Sequence, residues 1–198
     1  VLVLVLFGND MVQAVRIATS LGLKNKMQIV VPSLTLGMAD SAGAKVMEGV
    51  IGTLPWTWQV PYVYNYKKGK EFVRNFSEKY KRYPSASGAS AYTILYEYKS
   101  AVERAKTFNT KKEIKALEGH KYKFLKDMQI WRKLDHQSLQ TVYTVKCKPW
   151  KKVIKDKFQL DYFEIVEKLS KYKAARSTKE WKAIRKKAGE PAYLEPRF

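Results

Sequence analysis

The chain has 198 residues, 45% of them hydrophobic, with 38 Lys and Arg against 18 Asp and Glu and a formal net charge of +20. That apolar content is ample for a core of one large domain or two small ones, so disorder is not the default reading. The charge attracts anions of every kind, from nucleic acid and anionic lipid to small carboxylates, and its simplest meaning is a Lys-rich solvated face.

Residues 1–6 (VLVLVL) are aliphatic without alternation. This predicts a central parallel strand buried on both faces. The run falls far short of the ~20 residues of a membrane span and lacks the basic start and cleavage site of a signal peptide. A chain opening directly on a buried strand suggests further sequence to its left. Gly8 and Asn9 turn the chain, Asp10 is placed to cap a helix, and Met11, Ala14, Val15 and Ala18 recur at helical spacing up to Gly22. Residues 27–31 give the next strand, stopped by Pro32. The product is a right-handed βαβ unit, which directs a ligand to the strand ends at residues 7–10 and 32–37.

Residues 33–49 mix small and polar types, and residues 47–54 read as a third strand closed by Pro55. A loop holding Trp56, Trp58, Tyr62, Tyr64 and Tyr66 follows, either a packed hinge or a stacking wall for a ligand. A helix over residues 69–83 carries Phe72, Phe76 and Tyr80 on one stripe, and Pro84 breaks it. Residues 91–106 form the next helix, with Tyr92, Leu95, Tyr98 and Val102 at helical spacing. Thr110 is a cap for a short helix ended by Gly119. Residues 128–131 and 139–147 read as two strands of a hairpin joined by LDHQS. Cys147, the single cysteine, excludes an intrachain disulfide and a cysteine metal cage, and reads as a small buried hydrophobe. Beyond Pro149 the pattern predicts a Lys-rich helix over residues 161–172, a capping box of Ser177 with Glu180, and an extended strap over residues 190–198.

The helix stripe Phe72, Phe76, Tyr80, then Tyr83-Pro84, then an Ala-rich helix with Tyr92 early and Ala101, Glu103 and Ala105 late, then LEG at residues 117–119, WRKLDHQ at 131–137 and VYTVK at 142–146, follow one another in an order and spacing that resemble the solute-binding proteins of branched-chain amino acid and amide ABC transporters. The resemblance runs over about residues 1–150. It implies an α/β fold of the type I periplasmic binding protein kind: Rossmann-like parallel sheet, flanking helices, and a two-lobed architecture incomplete in this chain. It further implies that residues 1–82 belong to the second lobe, 83–130 return to the first, 131–155 form a hinge hairpin leading back, and 156–198 are a Lys-rich helical extension. The N-terminal part of the same chain would be missing.

The implied function is an extracytoplasmic receptor, periplasmic or extracellular and lipid-anchored in some forms, that binds a small amino acid, amide or carboxylate solute between its lobes and hands it to an inner-membrane ABC permease. The ligand wall implied is Phe7, Gly8, Asn9 and Ser33, with Ser87 near the hinge and Trp56 closing from the loop. At Ser33 the amino-acid binders carry a carboxylate for the ligand ammonium. Serine there turns the expectation toward a carboxylate or aromatic solute held by hydroxyls and basic groups.

An enzyme is not expected. His120 and His136 are the only histidines, and no nucleophile elbow, P-loop or paired-histidine motif accompanies them, so neither cofactor nor metal is implied. The other class of function open to the composition is a nucleic-acid or anionic-surface binder using the basic helices of residues 146–187. The order of motifs favours the receptor, for which no nucleic acid partner is expected.

Overall fold

The computed structural model describes residues 1–195. The chain is α/β, and among the described residues its strands form a sheet of five and a sheet of three. β1 (Leu2–Val3), β2 (Ile29–Val31) and β3 (Ile51–Leu54) run parallel in the main sheet, and β7 (Val142–Cys147) then β8 (Phe163–Leu169) add to β3 antiparallel. β4 (Lys121–Tyr122), β5 (Gln129–Trp131) and β6 (Ser138–Leu139) make the small antiparallel sheet.

Helix α1 (Gly8–Ser20) crosses between β1 and β2 and buries Met11, Val12, Val15 and Ala18, the apolar stripe its spacing predicts. Its N-cap is Phe7, not Asp10, which sits in the first turn where an acid suits the positive helix end. Gly22 takes the left-handed conformation just past the helix, with φ 67°. Residues 1–6 correct the sequence reading. The strand is short and lies at the sheet edge, so Leu2 and Leu4 turn toward the core while Val1 and Val5 stay more than 80% exposed. A single neighbouring strand and one covering layer bury one face only.

Between β2 and β3 the small residues fold as α2 (Leu36–Ala42), capped by Thr35, and α3 (Ala44–Met47), so the predicted strand over 47–54 shortens to its last four residues. The aromatic loop after β3 contains α4 (Val60–Val63) and is packed: Trp58 stacks on Tyr83 at 4.0 Å and Tyr64 lies 5.8 Å from Tyr143. Helix α5 (Lys67–Tyr80) buries Phe72 and Val73. Ser85 caps α6 (Ala86–Ala105), which begins earlier than its spacing suggested because Pro84 is followed by a sound cap. Asn109, not Thr110, caps α7 (Thr110–Leu117).

The predicted 139–147 strand is divided between sheets. Leu139 pairs in the small sheet with Ile130, while residues 142–147 pair with both β3 and β8. After α8 (Trp150–Val153) the predicted helix over 161–172 is instead β8. Phe163 and Ile165 alternate inward, and the free edge of β7 offers hydrogen bonds that helical spacing of Phe163, Val166 and Leu169 could not compete with; Val166 is 53% exposed. Short α9 (Lys171–Ala174) and α10 (Thr178–Lys187) follow, the latter with the capping box of Ser177 and Glu180. Residues 190–195 then return to the small sheet, where the Leu194 amide donates to the Leu134 carbonyl at 3.1 Å. The rest of the predicted strap, residues 196–198, lies outside the described residues.

Tyr143, Val145 and Cys147 face the core from β7. Burial pushes the Cys147 thiol up to about 12, with Lys24 opposing.

At Gly69 helix α5 comes close against the chain at Pro61 and Leu125. A Cβ there would press on the Leu125 carbonyl oxygen and lie 2.7 Å from Pro61 Cγ, whereas one at Gly37 in α2 meets nothing within 4 Å. Gly69→Ala is expected to lose about 1 to 3 kcal/mol through overpacking. Gly37→Ala should be neutral or gain up to about 1 kcal/mol. Urea midpoints of the two variants check this, and equal midpoints would contradict it.

Candidate functional site

The three parallel strands end on one side of the main sheet. β1 leads to Phe7, β2 to Pro32 and Ser33, β3 to Pro55, and Val142 opens β7 beside them because Leu54 faces Tyr143 across the antiparallel pair. The N-terminus of α6 completes a depression of about 480 Å³ whose lining includes Phe7, Ser33, Thr35, Thr53, Ser87 and Ser90. Ligands of parallel sheets belong at such strand ends.

Local hydrogen bonds hold its rim. The Leu34 amide donates to the Thr53 carbonyl at 3.0 Å, and the Thr53 hydroxyl donates to the Pro32 carbonyl. The Thr35 hydroxyl accepts from the Met38 amide at 3.2 Å, and Ser85 accepts from Gly88 at 3.1 Å at the head of α6. Lining side chains are hydroxyls and apolar groups, with no charged residue among them. The N-termini of α1 and α6 supply positive polarity without a formal charge.

Phe7, Ser33 and Ser87 are therefore brought together, all three exposed. Gly8 and Asn9 open α1 directly behind Phe7, and Gly8 has φ 60°, a conformation glycine adopts without strain. Trp56 goes elsewhere: it is 3% exposed, meets Phe72 edge-on at 5.9 Å, and faces a second cavity. Its position directly after Pro55 turns it under α6 rather than over the strand ends.

That second cavity, about 310 Å³, lies between α6 and the small sheet and shares Pro55 and Ser90 with the first. Lys126, 3% exposed, lines it. The ammonium donates to the carbonyls of Pro55 at 2.6 Å and Thr141 at 2.8 Å, and lies 5.7 Å from the centre of the Tyr143 ring. Burial pushes its pKa down to about 7, Asp127 alone pulling the other way. Nothing in the sequence singles this lysine out among 38 basic residues.

The histidines are engaged in structure. His136 turns the β5–β6 connection with φ 54°, and its Nε2 lies 3.0 Å from Glu118 Oε1; His120 Nε2 lies 3.7 Å from the buried Glu97 carboxylate. Among the described residues no cluster of His, Cys, Asp and Glu could hold a metal, and no helix is long and apolar enough to cross a membrane.

A model of the periplasmic binding protein family matches residues 1–153. The chain belongs to the periplasmic binding protein family. Solved members share the fold: a periplasmic binding protein from Burkholderia mallei is 20% identical with a TM-score of 0.76, covering 88% of this chain and 44% of that one. A branched chain amino acid ABC transporter periplasmic ligand-binding protein from Burkholderia xenovorans is 19% identical with a TM-score of 0.73, covering 90% and 46%. A solute binding protein of an ABC transporter from Rhodopseudomonas palustris, solved with 3,4-dihydroxy benzoic acid, is 16% identical with a TM-score of 0.57, covering 77% and 40%. No curated protein matches the chain. The chain thus spans less than half the length of these periplasmic binding proteins, and residues 154–195 lie beyond the family match.

Lys126 gives the site a pH signature. Unfolded, its amine titrates at the ordinary 10.5; folded, near 7. Between these values the unfolded state holds the extra proton, so stability owed to this residue rises with pH across the window and is flat below it. The stability of the wild type minus that of Lys126→Met, from urea melts, should climb between pH 7 and pH 10.5. A flat difference would show that the ammonium is not buried.

Proposed function

We propose that this chain is part of an extracytoplasmic solute-binding receptor of an ABC transporter, periplasmic or extracellular, that closes on a small solute and presents it to a membrane permease. The family match over residues 1–153, joined to a depression at the ends of the parallel strands, carries this reading. Residues 1–82 and 131–155 are assigned to one lobe and 83–130 to the other; the pairing of β7 with β3 in the main sheet and of β4 with β5 in the small one supports this, with β6 remaining on the small-sheet side of the hinge hairpin. In such a receptor differential affinity of open and closed states does the work, and nothing is turned over chemically.

Phe7 stacks on the solute, Ser33 and Ser87 donate to it, and Gly8 and Asn9 bring the open end of α1 close. The lining has no carboxylate to hold an ammonium group, which favours a neutral or anionic solute over an α-amino acid. The aromatic acid held by the Rhodopseudomonas palustris protein belongs to that chemical range.

The test is calorimetric titration of the whole receptor with amino acids, aromatic carboxylates and short carboxylates. Phe7→Ala should cost about 1 to 3 kcal/mol of binding to whichever solute binds. Ser33→Ala should weaken it by a lesser amount, about 1 kcal/mol. The 198 residues by themselves should bind far more weakly than the whole receptor. Unchanged affinity in both variants, with folding intact, would move the solute wall away from these strand ends.

A further inference from the structure

We infer that residues 170–195 form a belt, tied at one end to the edge of the main sheet and at the other to the small sheet and α7, that limits how far the two sheets can part. The chain already passes between the sheets at Pro55 and Thr141, and the belt is a further link beside those crossings. All of it lies outside the family match at residues 1–153.

The near end is held by β8. This edge strand pairs along β7, with Phe163 opposite Cys147 and Leu169 opposite Val142. Leu169 therefore stands where the chain enters β7 from the small sheet, and Ser170 starts the belt from that point.

The far end is held at Arg176, Tyr193 and Leu194. The Arg176 carbonyl accepts from Arg132 Nη1 at 2.8 Å, and Asp135 fixes that guanidinium by accepting from its Nε at 2.7 Å. The Leu194 amide donates to the Leu134 carbonyl at 3.1 Å. The Tyr193 hydroxyl donates to Glu118 Oε1 at the end of α7, and its ring meets His136 edge-on at 6.1 Å. Burial pushes the Glu118 carboxyl up, yet hydrogen bonds from Tyr193 and His136, with Lys133 nearby, hold it below the usual range. The anchor is thus an ionised acceptor, the stronger kind.

Between these ends the belt has little slack. Left as a flexible chain, residues 170–193 would reach about 25 Å on average and would restrain the sheets hardly at all. Here they fold. Helix α10 opens on the capping box of Ser177 with Glu180 and lies back on the strap, where the Trp181 indole N–H donates to the Ala192 carbonyl at 2.6 Å. Arg185 Nε donates to the Pro191 carbonyl at 2.9 Å, and the same guanidinium reaches Glu190 at 3.1 Å. A folded link resists separation of the bodies that it joins, where a loose one only caps their distance. Its consequence for binding, and that alone, rests on the receptor reading: Pro55 and Val142, at the crossings, line the strand-end depression, so the belt narrows the range of shapes from which a solute selects.

The experiment measures, by pulsed electron resonance on the full chain, the distances between nitroxide labels at Gln13→Cys on α1 and Lys111→Cys on α7, two exposed positions, in a Cys147→Ala background. With the belt unaltered the distribution should be single and narrow. Inserting about ten Gly and Ser residues between Leu169 and Ser170 leaves every far-side contact in place, adds only slack, and should broaden it about twofold. Ending the chain after Ala175 should do the same. Tyr193→Phe, which keeps the ring and loses the hydroxyl on Glu118, should broaden it less. Should the truncated chain fail to fold, the insertion decides, since it deletes nothing. A width that the insertion leaves unchanged overturns the inference and assigns the extension to covering the small sheet alone. A distribution already broad in the unaltered chain overturns it too. These distances need no solute, so their outcome is separate from that of the calorimetric titration, which tests the receptor reading.

Discussion

The fold turns on the pair of hydrogen bonds that Lys126 makes to Pro55 and Thr141. Pro55 is where the chain leaves the main sheet after β3, and Thr141 is where it comes back to begin β7. The two hydrogen bonds tie the segment that carries the small sheet to both points, as a neck, while α4 and α5 pack on the main sheet through Gln59, Tyr64 and Phe72. An apolar side chain there would leave two carbonyls of crossing segments facing apolar surroundings, so a polar clamp is the physical solution, at the cost of burying an amine whose pKa falls to about 7. The neck is stiffened by close backbone approach at Gly69 and by the aromatic pairs Trp56 with Phe72 and Trp58 with Tyr83. The result joins a sheet-end depression and a second cavity through two shared residues.

Charge is organised on two length scales. The net +20 acts over the whole surface and raises the local concentration of anions, weakening with added salt. Within the strand-end depression no formal charge is present, only hydroxyls and helix ends. On the proposed reading, selection there would rest on geometry and on what can accept a hydrogen bond, and the surrounding field would set how quickly an anionic solute arrives. The many exposed lysines of α5, α8 and α10 thus serve a different purpose from the one buried lysine beside Pro55.

Much of the main sheet was legible because its signals are local. Gly22 after a helical stripe, Pro32 after an apolar run and Ser177 with Glu180 each act within a few residues, and all are where local chemistry put them. The errors arose where partners are distant in sequence. The helical spacing of Phe163, Val166 and Leu169 was overruled by the free edge of β7, and the aliphatic run at residues 1–6 lost one buried face because only β2 flanks it. Phe7 and Ser33 were readable as strand-end positions and Ser87 as part of the hinge loop, and the structure gathers the three around one depression. Lys126 was invisible because its environment is made by Pro55 and Thr141, both far along the chain, and Trp56 was misplaced because aromatic content does not say which side of a turn a ring takes.

Cys147 carries one more consequence. The residue is 98% hidden on β7 between β3 and β8, as a protonated thiol whose pKa is pushed to about 12, and it is the single cysteine of these 198 residues. An alkylating reagent at neutral pH therefore meets neither access nor thiolate while the sheet is closed. Each modification at Cys147 records one excursion in which β7 came away from a neighbour, so this thiol counts the breathing of the fourth of the five strands in the main sheet.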